Sequence, residues 1–222
     1  MNDKVLNLPI ITRDEIVADK AFPLRLYCMM MLESNCNLEE EHRYIYDHKI
    51  RDFEFQDSLR KIKMSESTFN RHMKKLRSYK KVIKMVQGER HVIYRLYYKD
   101  KEGRNYVTVP ADTLRSLLEN VNDTTLRVYL VLLYVLWDKK EQKYVEKMVT
   151  IEYLTNKLGM SSKSRRVISD ALKCLVQEGF INVRTENVMS SVINKNGNVT
   201  CCLKSFNFIS LCEISGAVYI DS

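Results

Sequence analysis

The sequence predicts a mainly helical α+β fold made of two similar halves, each of which ends in a β-hairpin. In each half, three segments have apolar residues at helical spacing, and a turn-forming sequence follows the third. Six Gly and three Pro are too few for a long flexible linker or an all-β sandwich. With 222 residues and 45% apolar content, the chain is large enough for two small domains with cores of their own.

The first half, residues 1–105, contains three predicted helices. Lys63-Met64-Ser65 forms the turn before the third of them. The hairpin at its end has Gln87-Gly88-Glu89-Arg90 as a tight turn. The predicted elements are helix 20–33, strand 44–50, helix 55–62, helix 66–79 and a hairpin over 82–98.

The second half, residues 106–222, repeats this order with clearer local signals. Asp123-Thr124-Thr125 and Thr150 are expected to cap two helices, and Gly159 supplies the left-handed residue that ends the second. The hairpin turn is expected at 194–197, where Asn and Gly suit positive φ. The predicted elements are helix 123–140, strand 144–149, helix 151–158, helix 164–176 and a hairpin over 180–209.

The third helices of the two halves match at three core positions when Ser65 is aligned with Ser164. The second half departs by three extra residues, 161–163, in the turn before this helix. Short extended segments at 10–16 and 107–114 lead into the two halves. We therefore predict an internal pseudo-symmetry with a boundary near Asn105. The matched core pairs are Phe69 with Ile168, Met73 with Leu172, and Leu76 with Leu175.

This order of helix, strand, helix, turn, helix and hairpin is typical of a winged helix. Segments 154–161 and 164–181 resemble the helix-turn-helix and following strand of bacterial winged-helix proteins. The prediction is therefore two tandem winged helix-turn-helix domains, with recognition helices at about 66–79 and 164–176.

Positive charge is concentrated in one block of the first half. Thirteen of the 36 Lys and Arg residues lie between Arg60 and Lys99, where only Glu66 and Glu89 are acidic. The block carries about +11 against +8 for the whole chain, so the remaining residues are slightly acidic. Such a block, centred on an amphipathic helix, indicates an element that binds a polyanion, and we expect double-stranded DNA.

In the first half, the polar face of the third helix is expected to enter the major groove. Asn70 can pair with adenine and Arg71 with guanine, whereas lysines suit phosphates. Arg90, beside the hairpin turn, is expected to contact the minor groove or the backbone. The other predicted contacts of this half are Ser67, Lys74, Lys75, Arg77, Lys80 and Lys81.

The equivalent face of the second half has a smaller basic excess. Asp170 stands where Arg71 stands in the first half, and its carboxylate repels phosphate but can accept from a cytosine amine. The second half is therefore expected to bind DNA more weakly or to recognise a different half-site. Its predicted contacts are Lys163, Arg165, Arg166, Ser169, Lys173 and Lys195.

The sequence does not favour an enzyme, a metal site or a cofactor. The four histidines form no catalytic or metal motif, and no glycine-rich phosphate loop is present. Cys28, Cys36, His42 and His48 have the order but not the spacing of a zinc finger. The thirteen tyrosines lack a recognisable set of Arg and His for DNA cleavage. We predict no catalysis, no cofactor and no small-molecule substrate.

We expect a cytoplasmic protein without a membrane partner. Residues 1–15 do not have the pattern of a signal peptide. The most apolar segment, 126–137, includes Arg127 and is shorter than the ~20 residues that span a bilayer. The six cysteines are therefore expected to be reduced thiols.

The tandem arrangement, the size and the basic charge resemble the replication initiators of plasmids and phages. In that family each half is a winged helix, the first half often supports dimerisation, and the pair binds repeated sites at an origin. The resemblance implies a replication function, a homodimer, and a helicase or polymerase as further partners. The chain departs from the family in one respect, because here the more basic helix lies in the first half.

Two alternatives stay open at this point. A transcriptional regulator or a conjugation accessory protein would bind DNA in the same way but at sites without origin activity. A protein-interaction scaffold would resemble the tandem winged-helix subunits of chromosome-organising complexes. Those subunits tend to be acidic, so the basic block counts against the scaffold.

Overall fold

The protein forms an α+β fold with small antiparallel sheets, as the sequence predicts. This is a computed structural model, and within the residues that it describes no helix is long and apolar enough to cross a membrane. The described residues are 7–11, 17–37, 42–87, 91–97, 106–193 and 199–212.

In the first half, four strands form one antiparallel sheet. Their order is β2 (Asn35–Asn37), β3 (His42–Tyr46), β5 (His91–Leu96) and β4 (Val82–Gln87). The predicted strand 44–50 is wrong after Tyr46, where the chain turns into a short helix. Tyr94 donates a hydrogen bond to Asp47 in the first turn of that helix, at 2.8 Å, and Ile50 is buried. The elements are β1 (Asn7–Ile11), α1 (Leu24–Leu32), β2 (Asn35–Asn37), β3 (His42–Tyr46), α2 (Asp47–Arg51), α3 (Phe53–Lys61), α4 (Glu66–Ser78), β4 (Val82–Gln87) and β5 (His91–Leu96).

The second half contains a helix, α5, that the sequence analysis missed, and its long helix α6 ends earlier than predicted. Asn122, and not the following Asp-Thr-Thr, caps α6 by accepting from the backbone N–H of Thr125 at 2.9 Å. The elements are β6 (Tyr106–Pro110), α5 (Ala111–Asn120), α6 (Asp123–Leu136), β7 (Trp137–Asp138), β8 (Lys143–Tyr144), β9 (Lys147–Met148), α7 (Ile151–Lys157), a 3₁₀ turn (Ser162–Ser164), α8 (Arg165–Gln177), β10 (Ile181–Ile193) and β11 (Val199–Leu211).

The hairpin of β10 and β11 has thirteen residues in each strand. At about 3.3 Å per residue, each strand is roughly 40 Å long. The predicted turn at 194–197 lies outside the described residues. Short strand β9 pairs with β11 only near its end, where Met148 faces Phe208 and Lys147 faces Ile209. The strand predicted at 144–149 is therefore two separate short strands, β8 and β9.

Four helices end at a residue with positive φ. These residues are Lys63, Lys80, Gly159 and Gly179, with φ of 56°, 55°, 58° and 73°. In each case, the N–H of this residue and the N–H of the next one donate to carbonyls in the last turns of the helix, as in a Schellman motif. The predicted role of Gly159 is thus confirmed. Lysine occupies this conformation twice in the first half, where a side chain makes it less favourable.

The two halves are joined by paired strands, by the buried Arg127 and by the partly buried Arg25. Strands β1 and β6, which overlap the predicted lead-in segments 10–16 and 107–114, pair antiparallel from Asn7 with Pro110 to Ile11 with Tyr106. The predicted extended segment 107–114 is wrong from Ala111, where α5 begins, and 12–16 lies outside the described residues. One cluster of buried apolar residues extends through both halves. The predicted boundary near Asn105 falls outside the described residues.

Arg127 of α6 is the most extensively bonded group at this junction. Its side chain is 4% exposed and donates to the carbonyls of Val17 and Phe22, both at 2.7 Å, and to the carboxylate of Asp123 at 2.6 Å. Arg25 of α1 similarly donates to the carbonyls of Leu118 and Val121. These arginines satisfy backbone acceptors of the opposite half, so they connect the halves directly.

Candidate nucleic-acid interface

Helix α4 is positioned by a polar cap and an apolar stripe. Ser65 accepts a hydrogen bond from the backbone N–H of Thr68 at 3.3 Å and so caps the first turn. Phe69, Met73 and Leu76, at i, i+4 and i+7, are all buried in the core. The opposite face of the helix is therefore turned toward solvent.

The solvent face of α4 carries several cations that form no ion pair within the described part of the chain. Among the described residues, no carboxylate oxygen lies within 4.0 Å of the side-chain nitrogens of Arg71, Lys74 or Lys75. The positive end of the helix dipole adds to this field, and Glu66 in the first turn offsets part of it. The face can thus attract phosphate without first breaking an ion pair. The exposed predicted contacts on α4 are Ser67, Asn70, Arg71, Lys74, Lys75 and Arg77.

The most outward line of α4 consists of residues spaced at i, i+4, i+7 and i+11. Ser67, Arg71 and Lys74 lie on this line, and Ser78 continues it. Ser78 is not among the predicted contacts, although extending the same spacing by one turn would have found it. Lys84, exposed on β4, is not among them either.

The cations at the end of α4 differ in their surroundings. The guanidinium of Arg77 lies over the ring of Tyr94, 5.6 Å from its centre, so it has a cation–π partner. Lys80 is exposed at the positive-φ position that ends the helix. Lys81 is only half-exposed, and its carbonyl accepts from the N–H of Tyr97 at 3.0 Å. Lys80 is therefore better placed than Lys81 to meet a phosphate.

His72 lies on the flank of α4, between the core and the basic face. Burial first, and then repulsion by Arg71 and Lys75, lowers the pKa of His72 below its usual value. Its Nδ1 is buried without a hydrogen-bond partner among the described residues. The folded protein therefore resists protonation of His72, whereas the unfolded chain does not.

We expect His72 to make the fold less stable in acid. Above its ordinary pKa of 6.5 the group is neutral in both states, and as the pH falls through 6.5 the unfolded chain binds the extra proton. His72→Gln should remove this contribution. Urea unfolding of both proteins between about pH 7.5 and 5.5 measures it, and equal pH dependence would contradict this role of His72.

The face of α8 is basic in sequence but largely neutralised in the structure. Asp170 lies 3.9 Å from Arg166 and 4.0 Å from Lys173, and Glu152 lies 3.6 Å from Arg165. These exposed pairs are weak, but each carboxylate reduces the local positive potential. The predicted contacts Lys163, Arg165, Arg166 and Lys173 are exposed on this side, and Ser169 is half-buried.

Two predicted contacts, Arg90 and Lys195, lie outside the described residues, so the structure does not place them. Within the described parts, no group of three or more His, Cys, Asp or Glu residues is arranged to hold a metal ion. Cys28 is fully buried, and burial raises the pKa of its thiol. A buried, protonated thiol behaves as a small apolar side chain.

Comparison of the chain with protein-family models, with curated proteins and with solved structures finds no match.

Proposed function

We propose that the protein binds double-stranded DNA in a sequence-specific manner through two winged helices, with α4 and α8 as recognition helices. The observation that carries the proposal is the exposed face of α4, where Arg71, Lys74 and Lys75 have no carboxylate partner among the described residues. A surface that served solubility alone would intersperse charges of both signs, as α8 does.

The positions of the helix ends support the tandem arrangement. Lys80 and Gly179, which both adopt positive φ, are 99 positions apart. Ser65 and Ser164, the residues aligned above, are separated by the same 99 positions. Lys63 and Gly159 are 96 positions apart, and the 3₁₀ turn Ser162–Ser164 accounts for the difference of three residues. The three core pairs aligned above are also buried in both helices. These correspondences favour two copies of one helix-turn-helix unit.

In this proposal, α4 enters the major groove with its N-terminal end first. Asn70 and Arg71 are placed to contact base edges, while Lys74, Lys75 and Lys80 contact phosphates and set the register. Helix α8 contributes less affinity, because Asp170 already attracts Arg166 and Lys173. Helices α4 and α8 would then occupy successive major grooves, roughly 34 Å apart.

The biological role that we propose is initiation of replication at origin repeats of a plasmid or phage. The tandem arrangement and the basic charge support it, and a homodimer and a helicase or polymerase would be its further partners. Regulation of transcription, or assistance in conjugation, would use the same contacts. Footprinting on an origin and on promoter regions separates these roles.

The protein is expected to bind a duplex from the region upstream of its own gene (the native upstream duplex) more tightly than a scrambled duplex. This binding is expected to weaken steeply with salt. Three cations that contact phosphates, Lys74, Lys75 and Lys80, predict a slope of about −3 for log K against log salt, or steeper if α8 contributes. Fluorescence anisotropy at several salt concentrations measures both quantities. If neither duplex binds at low salt, the proposed function is wrong.

A further inference from the structure

A groove lies where the two halves meet, between α1 and α3 of the first half and α5 of the second. We call it the junction groove. Its volume is about 360 Å³, within the range of sites that bind ligands or side-chain anchors. Its floor is apolar, formed by the buried Met29, Ile62 and Leu118. One wall of the groove, at the start of α3, is an apolar side chain that is exposed to solvent.

That wall is Phe53, whose side chain is 76% exposed. An aromatic ring left in water beside an apolar floor gains hydrophobic free energy when a partner covers it. Aromatic residues, Phe among them, are enriched in protein interfaces relative to the rest of the surface. Together, Phe53 and the floor residues form a surface that a complementary apolar side chain can fill.

The rim of the junction groove is acidic, in a chain with a net charge of +8. Glu33, Glu54 and Glu119 line it, and among the described residues no cation lies within ion-pairing distance of any of them. The two cations at the groove already have partners. Lys61 lies 3.3 Å from Asp57, and Arg115 lies 4.0 Å from Asp112.

The apolar surface and the acidic rim together exclude DNA as the partner of the groove and favour a basic, amphipathic one. Carboxylates without cations repel the phosphates of DNA, so the groove is not an extension of the basic face of α4. They attract Lys and Arg, and they do so most strongly near an apolar surface where water is excluded. A groove lined by three helices is also the shape that accommodates a further amphipathic helix.

We propose that the junction groove binds a basic amphipathic helix of a partner protein. An apolar side chain of that helix would pack on Phe53, Met29 and Leu118, and its Lys or Arg side chains would pair with Glu54 and Glu119. Because both halves contribute walls, binding requires the halves to be joined as in this structure. A DNA-bound copy would then recruit its partner through a face separate from α4.

The test uses two fluorescein-labelled helical peptides of about 14 residues, roughly four turns, and the full chain. One peptide has leucines at i, i+3, i+4 and i+7 with lysines elsewhere, and its twin replaces every lysine by glutamate. We expect the lysine peptide to bind with micromolar affinity and the glutamate twin to bind at least tenfold more weakly.

Groove variants then locate the binding site. Glu54→Lys with Glu119→Lys, and separately Phe53→Ser, should each weaken the lysine peptide at least tenfold. Glu141→Lys with Glu178→Lys changes the net charge by the same amount at exposed positions outside the groove, and should bind as the native chain does. No binding to the native chain, or equal loss in the control variant, overturns the proposal.

Two further readouts keep this proposal separate from DNA binding and from self-association. All variants, measured against the native upstream duplex, should retain DNA affinity to within about threefold of the charge-matched control. Sedimentation of the native chain and of Phe53→Ser should give the same mass. A native dimer that Phe53→Ser dissociates would assign the groove to a second copy and refute the peptide partner.

Discussion

Reversing two charges, Arg71→Glu with Lys74→Glu, is expected to weaken DNA binding by roughly 100-fold or more at about 0.1 M salt. Both side chains are exposed on the outward line of α4, and no carboxylate among the described residues pairs with them. A good contact to a base is worth ~1–3 kcal/mol, and a new carboxylate near phosphate adds repulsion. Anisotropy with the native upstream duplex measures the loss, and the slope against log salt should become shallower by about one, because Lys74 is the phosphate contact of the pair.

A matched change on α8 serves as the control for total charge. Arg166→Glu with Lys173→Glu alters the net charge equally, but both residues already lie near Asp170. We expect this variant to lose DNA affinity by roughly tenfold or less. Arg71→Lys keeps the charge and removes the paired N–H donors, so it should reduce the preference for native over scrambled DNA while sparing affinity for the latter. If Arg71→Glu with Lys74→Glu binds as the native chain does, the scaffold alternative is favoured.

Replacing Arg127 by Leu is expected to lower the free energy of unfolding by about 2–4 kcal/mol. The guanidinium is almost completely buried, and its removal takes a donor from the buried carbonyl of Val17. Asp123 also loses a partner, but its side chain is 43% exposed and can bind water instead. Each buried acceptor left without a partner costs ~1–3 kcal/mol. The lost hydrogen bond costs less at the carbonyl of Phe22, because that carbonyl also accepts from the N–H of Leu24 at 2.8 Å. Urea unfolding followed by circular dichroism measures the change.

Arg166→Leu provides the comparison for this measurement. Arg166 is exposed and its ion pair with Asp170 spans 3.9 Å, so its loss should change stability by less than about 0.5 kcal/mol. A stability of Arg127→Leu within that same margin would show that the buried arginine does not hold the halves together. Since both variants lose one Arg, the expected difference between their free energies of unfolding comes from the burial and the hydrogen bonds of Arg127.

Helices α4, α7 and α8 could be predicted closely because their signals are local. Ser65 and Thr150 each accept a hydrogen bond from an N–H three residues ahead, and Gly159 adopts the positive φ that ends α7. Such caps, together with apolar spacing, depend on residues within a few positions of one another. The polar face of α4 follows from the same spacing, so its exposed residues were also predictable.

Other elements depend on contacts between distant residues and were missed or cut short. Helix α5 packs against α1 of the other half, and its register with Arg25 cannot be deduced from its own sequence. In β10, the run from Arg184 to Asn187 is polar, and it is pairing with β11 that continues the strand through it to Ile193. Strand pairing is decided by the partner strand more than by local propensity.

The sequence by itself determined the helices with local caps, the α+β class and the charge excess of α4, since composition and short-range spacing specify all three. Tertiary structure decided the rest. It brought β1 to β6, buried Arg127 against carbonyls more than 100 positions away, and placed Glu33, Glu54 and Glu119 around one groove. The physical reason is that these arrangements arise from long-range packing and hydrogen bonding, whose free energy depends on residues that no local pattern connects.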